Sequence, residues 1–270
     1  MFAAMRGRVL VVAGSDSGGG AGIQADIKTI TAHGAFAATA VTALTAQSTL
    51  GVFGVYPVPA AFVAQQMEVV LDDIGADIVK TGMLPDEEII GAVARVVTAR
   101  RERPALVVDP VMVAKGGARL MSGPAEAAIV RDLLPLAKLV TPNVPEAEAL
   151  TGLAIRTEGD LVAAGEALVS MGARAALVKG GHLDGPEVVD ALVRPGTAPL
   201  LVRHARLTTR HTHGTGCTLA SAIAALLARG VMLDAAVTRA IDYVTRAIQA
   251  APGLGGGHGP LNHAWAIPER

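Results

Sequence analysis

The chain has 270 residues, with 23 lysines and arginines against 24 aspartates and glutamates, a formal net charge of −1. That balance argues against a nucleic-acid partner, which calls for a strongly basic surface. With 51% apolar and 17% charged residues the composition is that of a packed globular protein, and the length suits one α/β domain spanning 1–270.

The N-terminal stretch has arginines at 6 and 8 and then only the apolar run 9–13, short of the roughly 7–15 apolar residues of a signal peptide. Met5 offers an alternative start. A strand is predicted over 8–13 and a helix over 22–33. The uncharged stretch 29–67 is broken by His33, Gly34, Gln47, Gly51, Gly54, Pro57 and Pro59. It therefore reads as buried strands, 37–44 and 51–56, and not as a membrane span, which needs about 20 apolar residues in succession. Helix 60–72, strand 77–80, helix 86–101, strand 105–108 and helix 124–134 follow, with Asp86 as an N-cap and Pro124 at a first helical position. Beyond them come strand 138–141, helices 146–151 and 158–171, strands 175–179 and 188–193, and helices 218–228 and 234–251, the last capped by Asp234. A glycine-rich segment, 252–260, closes the chain irregularly.

Apolar strands alternating with helices describe βαβ units around a mostly parallel sheet. In such sheets ligands bind beyond the carboxyl ends of the strands. The segments to inspect are therefore 14–22, 45–48, 81–83, 109–112, 142–146, 180–182 and 212–217.

Several familiar motifs are missing. There is no Gly-Lys dipeptide and so no Walker A loop, the glycine run 18–22 does not fit GxGxxG, and HExxH and GxSxG do not occur. What is present is Gly214-Thr215-Gly216-Cys217 ahead of an apolar helix. Small residues and free N–H groups at a helix N-terminus bind anions, and the same dipole is expected to lower the pKa of Cys217; the string is equally a helix entry with a buried small hydrophobe. Asp16 and the run 18–22, followed by Gln24 and Asp26, form a second strand–loop–helix junction. Asp26 serves there either to complement the helix dipole or to bind a polar ligand. Asp109, at a strand end before Pro110, is placed to bind Mg²⁺ through water, and Asn143 and Glu146 could act likewise, though each taken alone could equally be a cap or turn residue. Gln47 can read the donor–acceptor edge of a heterocycle or be a satisfied core amide. Lys179-Gly180-Gly181-His182 reads as a strand end feeding a turn, where the lysine could stand near phosphates. His211 and His213 have no carboxylate partner by spacing and read as loop histidines. The lone cysteine fits a reducing cytoplasm.

Together these strings are more specific than any one of them. The run 12–26, Thr42-Ala43-Leu44-Thr45-Ala46-Gln47-Ser48-Thr49, Lys80-Thr81-Gly82-Met83-Leu84, Asp109-Pro110-Val111-Met112, Thr141-Pro142-Asn143 with Glu146, Lys179-Gly180-Gly181-His182 and His213-Gly214-Thr215-Gly216-Cys217-Thr218 resemble, in order, the hydroxymethylpyrimidine/phosphomethylpyrimidine kinases of thiamine biosynthesis. The resemblance covers about 8–263. It implies a three-layer αβα ribokinase-like fold, ATP and Mg²⁺, and two successive phosphorylations of 4-amino-5-hydroxymethyl-2-methylpyrimidine, to the monophosphate and then the diphosphate. It also implies a homodimer.

Carried over by motif, Gly14, Asp26 and Gln47 would bind the pyrimidine and Gly214, Thr215, Gly216 and Cys217 would form the anion hole. Cys217 stands where many ribokinase-like enzymes have Asp. Asp109 and Glu146 would hold the metal, and Thr141, Asn143 and Lys179 would line the nucleotide and phosphate side. Ser48 departs from the usual Asn. A dipole-shifted thiol acting as base would make loss of Cys217 hurt the first phosphorylation more than the second, whose phosphate nucleophile is already ionised. The rival readings are a pyridoxal or pyridoxine kinase of the same fold, a thiol hydrolase built on Cys217, and a non-catalytic pyrimidine-binding protein.

Overall fold

The protein is described by a computed structural model over residues 6–113, 117, 120, 121 and 123–267; Met5 lies outside the described residues. Nine strands form one sheet in the order β3-β2-β1-β4-β5-β6-β7-β8-β9. They are β1 (Arg8–Asp16), β2 (Phe36–Ser48), β3 (Gly51–Pro57), β4 (Ile78–Thr81), β5 (Ala105–Val108), β6 (Ala137–Val140), β7 (Ala176–Lys179), β8 (Glu187–Val193) and β9 (Leu200–Ala205). From β2 to β7 all neighbours are parallel, whereas β3, β8 and β9 join antiparallel at the two edges.

The alternation of side chains along β1 shows why the sheet needs helices on both faces. Leu10 and Val12 pack into one buried cluster with α2 (Ala60–Asp73), α3 (Glu87–Ala99), α4 (Gly123–Ala128), α5 (Val144–Thr151) and α6 (Glu158–Ser170). Val9, Val11 and Ala13 pack into a second cluster with α1 (Gly22–Ala32), α7 (Thr215–Ala228) and α8 (Leu233–Gln249). Parallel strands joined by helical crossovers are covered on both sides, which gives the three-layer αβα arrangement expected from the sequence.

Four local departures from the sequence reading have physical causes. Strand β9 was not anticipated; it is a half-exposed edge strand, LLVRHA, whose polar residues interrupt the apolar run. The helix expected over 124–134 stops at Ala128 and continues as a π-helical turn, Ile129–Leu133, and a 3-10 turn, Leu134–Leu136, where Pro135 has no N–H to extend it. Met232 and not Asp234 is the N-cap of α8, Asp234 falling in its first turn, whereas Asp86 does cap α3 by accepting from Ile89 N at 2.9 Å. Finally, α7 begins at Thr215, so Cys217 belongs to the first helical turn and not to a loop before it.

Candidate active site

All seven strand-end segments singled out in the sequence contribute to one cavity of about 830 Å³. Gly14, Gln47, Asp109, Asn143, Glu146, Lys179 and residues 214–217 line it. Asp26 and Thr141 do not, since both are fully buried behind the wall.

At one end, α7 points its N-terminus into the cavity. Gly214, the N-cap, has φ +82, and a Cβ there would run into the Gly20 carbonyl oxygen, so glycine is required where the two glycine-rich loops touch. A Cβ on Gly216 would stand 3.4 Å from Lys179 Nζ and 3.8 Å from Asp109 Oδ2. Helix dipole, ammonium and carboxylate therefore converge on the same spot. Lys179 Nζ donates to Asp109 Oδ1 at 3.1 Å and lies 3.9 Å from Glu146 Oε2. Burial alone would lower the Lys179 pKa, but Asp109 and Glu146 outweigh it and hold the ammonium charged.

Thr141 reaches this end only by donating to Asp109 Oδ1 at 3.0 Å. Asn143 and Glu146 form a reciprocal capping box at α5, the Asn143 N–H donating to Glu146 Oε2 at 2.8 Å and the Glu146 N–H to Asn143 Oδ1 at 2.9 Å. Burial pushes the Glu146 carboxyl up to about 7, with Lys179 pulling it down and Asp109 adding to the rise. Asp109 Oδ2 is buried without a hydrogen-bond partner. An orphaned carboxylate oxygen in a cavity beside a second carboxylate suits a cation that takes most of its remaining ligands from phosphates and water. No group of three or more His, Cys, Asp or Glu among the described residues makes a metal site by itself.

At the other end the structure corrects the reading of His213 as a loop histidine without a carboxylate. Its Nε2 lies 2.8 Å from Asp16 Oδ2 and 3.3 Å from the Gln47 amide nitrogen. Asp16 also accepts the backbone N–H groups of Gly18, Gly20 and Ala21. Burial would raise this carboxyl, yet the bonds from His213, Ala21 and Gly18 outweigh it and hold it below its usual range. A carboxylate only accepts, so the proton sits on His213 Nε2.

Asp26 is also placed differently from a ligand-binding residue. It accepts from Lys80 Nζ at 2.8 Å and from Ser221 Oγ at 2.6 Å, tying α1, β4 and α7 together beneath the cavity floor. Lys80 is fully buried and Asp26, with Cys217 and Asp109 nearby, keeps it charged against its own burial. In the sequence Lys80 stood out only as the first residue of the string 80–84, with no role, and Ser221 was not marked.

The expectation of a thiol activated by the helix dipole is corrected as well. Cys217 is only partly exposed to the cavity. Burial pushes its thiol up to about 12, and although Lys80 and the Gly22 N–H pull the other way, Asp26 and Asp109 add to the rise. A half-charge at the helix end does not offset this desolvation. So placed, the Cys217 thiol is held protonated near neutral pH, opposite to the lowering expected from the helix dipole.

The family profile described as phosphomethylpyrimidine kinase matches residues 16–262. The chain belongs to the phosphomethylpyrimidine kinase family. It is similar to the thiamine biosynthesis bifunctional protein ThiED of Geobacter sulfurreducens, 53% identical over 98% of this chain and 54% of that longer protein, so that it spans about half of it. It is likewise similar to the hydroxymethylpyrimidine/phosphomethylpyrimidine kinase of Streptomyces coelicolor, 49% identical over 97% of this chain and 96% of the relative. Among solved structures it resembles the Staphylococcus aureus pyridoxal kinase in complex with AMP-PCP and pyridoxal, with a TM-score of 0.88 and 34% identity over 96% of this chain and 93% of that one. As a member of the phosphomethylpyrimidine kinase family the chain is a phosphotransferase of thiamine biosynthesis with the ribokinase-like fold. No helix among the described residues is long and apolar enough to cross a membrane.

Proposed function

We propose that this chain uses ATP to phosphorylate 4-amino-5-hydroxymethyl-2-methylpyrimidine first to the monophosphate and then to the diphosphate, in the cytoplasm. The observation that carries this reading is the two-ended cavity. One end gathers the α7 N-terminus and Lys179, which suit an anion, with Asp109 beside them for a cation, and the other offers Gln47, His213 and Asp16 to a polar ring.

Phosphoryl transfer passes through a loose transition state, so fixed positive dipoles at the transferred group matter more than a strong base. The N–H groups of Gly216 and Cys217 in the first turn of α7 and the Lys179 ammonium supply that field, the Thr215 N–H already donating to the Thr212 carbonyl. Asp109 and Glu146 would hold Mg²⁺, which would neutralise charge on the nucleotide phosphates. With the Cys217 thiol protonated, the hydroxymethyl proton leaves late and passes to a phosphoryl oxygen. The second step needs no base, because its nucleophile is a phosphate oxygen already largely ionised near neutral pH, its second pKa being about 6.

The structural likeness to a pyridoxal kinase favours a second reading, in which a pyridine carrying a hydroxymethyl group occupies the same end. The experiment is ADP release with Mg·ATP, offering hydroxymethylpyrimidine, its monophosphate and pyridoxal separately, with products identified by mass. Turnover of both pyrimidines is expected. Activity on pyridoxal alone would overturn the reading in favour of the second. The chain would work as a homodimer, with the uncharged, exposed edge strand β3 as its contact.

A further inference from the structure

The glycine-rich segment 253–259 does not line the cavity, yet it touches both loops that carry its ring-binding end. On one side it lies against the β2–β3 turn, two residues beyond Gln47: the His258 N–H donates to the Thr49 carbonyl at 2.9 Å and the Gly257 N–H to Thr49 Oγ1 at 3.3 Å. On the other it lies against the loop before α7: the His213 N–H donates to the Gly259 carbonyl at 3.2 Å, and His213 pairs with Pro260 as a parallel bridge.

Its glycines follow from the narrowness of this passage. A Cβ on Gly257 would strike the Thr49 carbonyl oxygen, and one on Gly259 would strike the His211 ring and come within 2.7 Å of the Leu254 carbonyl oxygen. A Cβ on Gly256 would have room, its nearest neighbour being Leu50 Cδ2 at 3.6 Å. Gly20 closes in on the same histidine, where a Cβ would come within 2.5 Å of His213 Cδ2 and 3.2 Å of Pro260 Cβ.

We infer that segment 253–259 is a positioning element that fixes the separation of Gln47 and His213, and through it the fit of the ring substrate. This rests on the reading of the Gln47–His213 end as the ring site. Widening the strap by one methyl group at Gly257 pushes the Thr49 turn away and moves Gln47 relative to His213. Binding geometry is sensitive to displacements of this size, since about 1 Å of misplacement can cost on the order of 100-fold.

The test compares Gly257→Ala with Gly256→Ala in the full chain. Gly257→Ala is expected to raise the KM for the ring substrate about tenfold while leaving the KM for ATP within about twofold, a selectivity that general loosening of the fold would not produce. Gly256→Ala should change neither. Thr49→Ala, which removes the Oγ1 acceptor without crowding, should shift the ring KM the same way by less.

Backbone hydrogen exchange reports on the same geometry without any substrate. Faster exchange confined to 47–50 and 211–214 is expected in Gly257→Ala and absent in Gly256→Ala. Unchanged exchange in those loops, or equal shifts in both KM values, would overturn the inference. If the wild type turns over pyridoxal instead of the pyrimidine, the proposed substrate fails while the strap is judged on the pyridoxal KM.

Discussion

Lys80 and Asp26 share a 2.8 Å hydrogen bond with both side chains wholly withdrawn from solvent. Asp26 Oδ2 has no partner, so the pair already carries unmet electrostatic demand. Lys80→Met would leave a buried carboxylate with only Ser221, and the expected loss of stability is about 3–5 kcal/mol, the usual cost of breaking a buried pair from one side. Adding Asp26→Asn should recover part of that loss. Urea melts of the two single variants and the double variant measure it, and additive losses would show that the residues do not act as a pair.

Cys217, with its thiol pushed up to about 12, should alkylate slowly with iodoacetamide at neutral pH and show no rate plateau before strongly alkaline pH. Cys217→Ala should weaken both phosphorylations by a similar factor, below the roughly 100-fold that a general base supplies at the low end. Single-turnover assays of the two steps decide the matter, and selective loss of the first step would reinstate the thiol as base.

Glu146 titrates near 7 because burial opposes its charge. Its folded pKa lies above the ordinary carboxylate value, so the folded state holds a proton that the unfolded chain has lost, and stability falls as pH rises from about 4.5 to about 7. Glu146→Gln should therefore gain in Tm relative to wild type across that window and stay level above it. Activity should move the opposite way. Mg²⁺ needs the ionised carboxylate, so turnover at limiting Mg²⁺ should rise through pH 7 in the wild type and lose that limb in Glu146→Gln.

Strand β3 exposes Phe53 at 74% and Tyr56 at 68% on a sheet edge without charge. An open apolar edge of this kind invites pairing. Sedimentation should find a dimer for the wild type and a monomer for the double variant Phe53→Asp with Tyr56→Arg; a monomeric wild type would remove the proposed contact.

The alternating apolar runs made the central strands and the site-bearing segments behind them legible, because periodicity and strand ends are local properties. What stayed hidden depends on distance along the chain and on burial. Asp16 and His213 meet across 197 residues, and no spacing rule could pair them. Asp26 was read as a complement to the helix dipole or, by family resemblance, a ligand contact, because its glycine-rich junction is visible in the sequence, whereas its pairing with a lysine on β4 is not. The raised Cys217 thiol has the same origin: the helix end is written in Gly-Thr-Gly-Cys, but the desolvation that overrides it comes from the surrounding fold.

The pairing of Asp16 with His213, and of Thr49 with the strap at 255–258, has a consequence for synthesis. During translation, at about 5–20 residues per second, the N-terminal part of a protein is available to fold first. Strands β1, β2 and β4 can pair early, since they neighbour one another in the sheet. The ring site cannot close until the last tenth of the chain emerges, because His213 and the strap both come from the late part of the sequence. A nascent chain on the ribosome would have a partial sheet and an open ring site, and a product truncated before Gly259 would complete the sheet, whose last strand ends at Ala205, while leaving the ring site unclosed.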